Sequence, residues 1–161
     1  ALAGSPSPGP RPLRHRGEHF WQGLPYLTPP ERLRVQEANV LWMNLMSLCE
    51  ATSLSGGGHW SEHPQDPKRP PFPSLWGTAE QIQQELRTSA QRVEFDQCML
   101  DPHAAVRKGT CISTTMPPLV DLLSGLRCAH GGAHRSKPLG KDERGNFRTR
   151  ALARYPLRLN L

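Results

Sequence analysis

Proline constrains this chain more than any other residue. Seventeen are present, seven of them in residues 1–30 and five in residues 64–73. A proline fixes φ and lacks an N–H, so neither tract can join a helix interior or a central strand. The core must come from the segments between them. Only 36% of the 161 residues are hydrophobic, so that core is small, and small cores are marginal. The length suits one domain or a fragment of a larger one. The expected organisation is a Pro-rich extended lead-in over 1–27, a partial α/β domain over 28–134 and a basic tail over 135–161.

The remaining segments carry clear start signals. Thr28-Pro29-Pro30-Glu31 is a capping box, with proline tolerated in the first turn. It opens a helix expected to run to about Ala51, with Ala38, Leu41, Leu45 and Leu48 as its apolar stripe and Met43 and Met46 as core filler. A short strand ending near Trp60 to Glu62 follows Ser55–Gly58. Thr78-Ala79-Glu80-Gln81 is a second capping box, and Ile82, Leu86 and Ala90 share one face of its helix. "RVEF" at 92–95 and "TCISTT" at 110–115 read as strands. Pro117-Pro118 open a helix with Leu119, Leu122, Leu123 and Leu126 at core spacing. "FRTRALARY" reads as a last short helix. Helices alternating with strands predict an α/β layer fold.

Charge is uneven. The net charge is +6, yet residues 127–161 hold nine Lys or Arg against Asp142 and Glu143. A basic end of this kind suits a polyanion, most often nucleic acid, and equally a solvated tail. Cys49, Cys98, Cys111 and Cys128 form no CxxC pair and no disulfide framework. No apolar run approaches the roughly 20 residues of a membrane span, and "ALAGSPSPGPRPLRHR" has no signal-peptide apolar region. An intracellular protein, nuclear or cytoplasmic, is expected.

Four candidate sites stand out. In "GGGHWSEHP", His59, Glu62 and His63 spell H-x-x-E-H, a zinc-peptidase pattern. That chemistry needs a helix, and Gly56–Gly58 and Pro64 deny it one. Cys128, His130 and His134 form a short ligand-bearing run that Cys98 or Cys111 could complete as a metal tetrahedron. Its spacing matches no established zinc pattern, and buried cysteines with surface histidines would look the same. If 147–155 is helical, Arg148, Arg150 and Arg154 line up to hold phosphates. Glu62, at a strand end with Trp60 as anchor, can present an acid to a ligand.

Several pieces also fall in a recognisable order: "GPRPLR", "WQGLP", "ERLRVQEANVLW", "GGGHWSEHP", "SLW", "VEFDQCML", "VRKGTCIST", "LRCAHGGAH" and "FRTRALARYP". In this order the chain resembles the second half of cytosine-C5 DNA methyltransferase-like domains of phages and mobile elements. The resemblance implies a partial three-layer, Rossmann-like methyltransferase fold with an incomplete sheet. It makes Glu62 the glutamate that hydrogen-bonds a flipped cytosine, and it sets Arg107 and Lys108 beside the base pocket or the DNA backbone. His63 stands where the family has Asn. The Phe-x-Gly-x-Gly loop for S-adenosylmethionine and the Pro-Cys nucleophile loop are absent, so S-adenosylmethionine belongs to the complete parent domain only.

Two functions are therefore expected as alternatives. One is a truncated or degenerate DNA methyltransferase-like domain from a mobile-element gene, inactive alone. The other is a basic nucleic-acid-binding module of a mobile-element polyprotein, with or without one zinc held by Cys98, Cys128, His130 and His134.

Overall fold

The computed structural model describes residues 11–16, 22–70, 72–101, 104, 106–131, 134 and 143–146. Its elements are helix α1 (Pro29–Leu54), strand β1 (Trp60–Pro64), helix α2 (Ala79–Thr88), strands β2 (Gln91–Asp96) and β3 (Gly109–Thr114), and helix α3 (Pro117–Leu123). Single 3-10 turns at Leu75–Gly77 and Gln97–Met99 precede α2 and follow β2. The strands form a small antiparallel sheet in the order β1-β3-β2. In β1 and β3, Trp60 lies opposite Thr114, Glu62 opposite Ile112 and Pro64 opposite Thr110. The mixed helix-and-strand content matches the expected class. The antiparallel pairing is not that of a doubly wound parallel sheet.

By internal contacts the chain divides into two units. One contains the described residues of Pro12–Glu94 and Thr110–Ser124; the other contains, among the described residues, Arg11, 95–101, 104, 106–109, 125–131, 134 and 143–146.

In the first unit, α1 starts where the capping box places it. Glu31 Oε2 accepts from the Thr28 backbone N–H at 2.9 Å and from its hydroxyl at 2.8 Å. The helix stops at Gly56, whose φ of +77° favours glycine. Its buried residues are Val35, Trp42, Met46 and Cys49. The predicted stripe is therefore rotated by one residue: Leu41 and Leu48 are 70% and 65% exposed. Met46 fills the core as expected, whereas Met43 is exposed. The helix carries apolar residues on several faces, so periodicity alone could not select one. The lead-in helps select it, because Arg14 Nη2 donates to the Val35 carbonyl at 3.3 Å and to Asn39 Oδ1 at 2.5 Å. Further contacts anchor the same lead-in: Leu24 N–H donates to the Leu13 carbonyl at 3.0 Å, and Arg16 pairs with Asp66. Its described residues are thus tied down rather than simply extended.

Helix α2 reverses the predicted face. Its buried residues are Gln81 and Gln84, while Ile82 and Leu86 are 42% and 68% exposed. Polar partners explain the choice. Gln84 Nε2 meets His59 Nε2 at 3.3 Å, and Gln81 Nε2 donates to Glu85 Oε1 at 2.6 Å. A buried amide with partners inside costs little. Trp76, 3% exposed, donates its indole N–H to the Pro64 carbonyl at 2.9 Å. The guanidinium of Arg92 lies 5.4 Å from the Trp76 ring centroid. In α3, Leu123 is buried, Leu119 half-buried and Leu122 67% exposed, and the helix ends before Leu126. Among the described residues no helix is long and apolar enough to cross a membrane.

Candidate metal centre

The second unit is built around the end of β2. The strand buries Phe95 and Asp96 completely, and the 3-10 turn Gln97–Met99 then turns the chain so that Cys98 lies buried beside them. Three backbone groups hold this corner. The Asp96 N–H donates to the Leu126 carbonyl at 2.8 Å, the Gln97 N–H to the Lys108 carbonyl at 2.9 Å, and the Cys128 N–H to Asp96 Oδ2 at 2.8 Å. Gly125, with φ of +83°, makes the turn that enters 126–128. Cys98, distant in sequence, is thereby placed against the Cys128–His134 run.

The outcome is a group of four ligand atoms from Cys98, Cys128, His130 and His134, all within 4.8 Å of one another. Cys128 Sγ lies 3.4 Å from His130 Nδ1 and 3.0 Å from His134 Nε2. The two imidazoles meet edge-on with centroids 5.0 Å apart. Zinc bonds of about 2.3 Å to sulfur and 2.0 Å to nitrogen imply tetrahedral ligand–ligand edges of about 3.3–3.8 Å. The Cys128–His130 separation falls within that range, the Cys128–His134 separation is shorter, and all the ligand atoms lie within 4.8 Å of one another. These residues could hold a metal. Cys98 is buried and the other three are part-exposed, so an ion would be shielded on one side and reachable on the other.

Electrostatics separate the two thiols. Burial, followed by the hydrogen bond to Cys128 and its charge, pushes Cys98 up to about 11. The His130 backbone N–H, then the imidazoles of His130 and His134, hold Cys128 down to about 6. A thiol held that low is a thiolate at neutral pH, the form that binds metal. Asp96 is the anchor beneath. Burial would raise its carboxyl, but the Arg107 hydrogen bond, the Cys128 N–H and the charges of Arg107 and Arg127 outweigh it, leaving the group below its ordinary value. Arg107 Nε donates to Asp96 Oδ1 at 2.8 Å.

The other expected site residues fall elsewhere. Glu62 lies in the middle of β1, half-buried, in the unit that lacks the cysteine–histidine group. His59 is buried, with Nδ1 3.0 Å from Ser53 Oγ and Nε2 facing Gln84. His63 packs edge-on to Trp76 with centroids 6.3 Å apart, and burial lowers its pKa. H-x-x-E-H is therefore extended backbone whose first histidine serves the core. Lys108 contributes its carbonyl to the corner. Arg148, Arg150, Arg154 and the last expected helix lie outside the described residues.

Cys111, weighed above as a fourth ligand, is not in the group of four, and its thiol lies 3.7 Å from the Ile112 carbonyl. No family model, curated protein or solved structure matches the chain. Sequence reasoning gave Asp96 and Arg127 no role. The available signal was an acidic residue closing an alternating strand two positions before a candidate ligand, with an arginine directly before another.

Proposed function

We propose that this chain is a small nucleic-acid-binding module organised by one structural zinc ion. The observation that carries this reading is the convergence of Cys98, Cys128, His130 and His134 within 4.8 Å. Two cysteine sulfurs and two imidazoles suit zinc better than the oxygen-loving cations. Four protein ligands leave no open position for a water, so the ion would serve the fold rather than catalysis. When bound it would link the end of β2 to the segment after Gly125, which the sheet alone does not staple. A core this small gains most from such a link. The net charge of +6, with its excess in residues 127–161, supports a polyanionic partner.

The test is fluorescence anisotropy with a labelled DNA duplex over a salt series, with and without chelator. The proposal expects log affinity to fall linearly with log salt and chelation to weaken binding. No binding at low salt would overturn the nucleic-acid part.

The motif order supports a second reading, a remnant of a methyltransferase-like domain, in which β2 closes on Asp96-Gln97-Cys98. It expects no S-adenosylmethionine binding by residues 1–161, since both cofactor and nucleophile loops are missing. Micromolar binding in calorimetry would contradict a truncated domain.

A further inference from the structure

We infer that Asp96 presents Arg107 as a fixed phosphate-binding fork beside the metal site, and that Arg107 with Arg127 forms the surface through which this chain holds a nucleic-acid backbone. This rests on the nucleic-acid reading above and names the residues that would carry it.

Asp96 is 0% exposed and uses both carboxylate oxygens: Oδ2 takes the Cys128 N–H and Oδ1 takes Arg107 Nε, each at 2.8 Å. A buried carboxylate bonded in this way cannot swing out to meet solvent. The Arg107 side chain is nonetheless 57% exposed. Binding through Nε leaves its two terminal nitrogens available, and among the described residues neither has a partner. Those two nitrogens form the planar fork that matches a phosphate. An arginine already held loses less side-chain freedom when it binds.

Arg127 stands beside the same corner. It is exposed, directly precedes the ligand Cys128 and lies near enough for its charge to act on Asp96. The metal site and the phosphate surface are thus linked through one residue, Asp96.

The experiment uses the full chain loaded with zinc and a short fluorescein-labelled DNA duplex. Arg107→Ala and Arg127→Ala are compared with Arg34→Ala, which removes the same charge from an exposed position on α1. Each phosphate contact contributes a slope of about 0.9 in log affinity against log salt, so losing one weakens binding about eightfold at roughly 0.1 M salt. Arg107→Ala and Arg127→Ala should show that loss and the shallower slope, and Arg34→Ala neither. Arg107→Lys should restore the slope with only part of the affinity. Asp96→Asn removes a negative charge and so raises the net charge by one, which alone predicts tighter binding; the inference predicts weaker binding, because the fork is released. If Asp96→Asn does not fold, as circular dichroism would reveal, the arginine comparison decides. Equal slopes for Arg107→Ala and Arg34→Ala overturn the inference while the nucleic-acid reading stands. Absence of any salt-dependent binding by the parent protein overturns both.

Discussion

Replacing Asp96 by asparagine should cost the fold about 1–3 kcal/mol, judged from hydrogen-bond magnitudes. The figure follows from its two bonds. A part-buried N–H bond to a charged acceptor, such as that from Cys128 at 2.8 Å, contributes about 1.5–3 kcal/mol. The Arg107 bond must be discounted because that side chain is 57% exposed, which leaves about 0.5–1 kcal/mol. Asparagine keeps one oxygen acceptor, worth about 1 kcal/mol as a neutral bond. Its amide NH2 then faces a second donor. Because the Asp96 carboxyl is held below its ordinary value of 3.8, its contribution is complete above that value and lost as pH falls through the lowered one. The parent and the variant should therefore differ at neutral pH and converge in acid. Urea unfolding followed by far-ultraviolet circular dichroism measures the difference. Zinc affinity, titrated with a competing chelator, should fall about 10–100-fold, as for other partners that orient metal ligands. Unfolding free energies within about 0.5 kcal/mol of each other, with unchanged zinc affinity, would refute the role given to Asp96.

Further outcomes follow from the same geometry. In metal-free protein Cys128, at about 6, should react with iodoacetamide at neutral pH well before Cys98, at about 11; peptide mapping that finds equal labelling would count against the assigned geometry, and zinc should protect both. Since Cys128 is lowered from 9 to about 6, its stabilising effect in metal-free protein is complete above pH 9 and disappears as pH falls through about 6, so thermal unfolding should shift down between pH 8 and pH 5. Trp42→Ala should destabilise by about 3–5 kcal/mol and Leu48→Ala by less than about 0.5 kcal/mol, because Trp42 is 8% and Leu48 65% exposed. The reverse order in urea midpoints would disprove the helix rotation.

Element starts were legible because capping chemistry is local: Thr28 with Glu31, and Thr78 with Gln81, sit where their side chains dictate. Strands β2 and β3 were legible from alternation and β-branched residues; a strand after the glycines that end α1 was legible too, but it was expected to end near Trp60 to Glu62, whereas β1 begins at Trp60 and runs to Pro64. Helix faces were not. In α1 apolar residues occupy several faces, and Arg14, well upstream of the helix start, helps choose the buried side. In α2 the buried face is polar because His59 supplies a partner from 25 positions away. The four metal ligands were legible as a candidate set, but the choice of Cys98 over Cys111 was not, since Cys98 joins the others only through the corner held by Asp96 and Leu126. Asp96 itself looked like an ordinary strand-end carboxylate until its two donors were seen.

Metal content tests the account most directly. Protein expressed with zinc, dialysed against metal-free buffer and measured by plasma emission should retain one zinc per chain. Substituting cobalt should give visible bands of tetrahedral intensity with a thiolate charge-transfer band, and Cys128→Ser or His134→Ala should abolish tight retention. A folded parent protein that retains no zinc, or whose Cys98→Ser and Cys128→Ser variants retain it undiminished, would contradict the central claim.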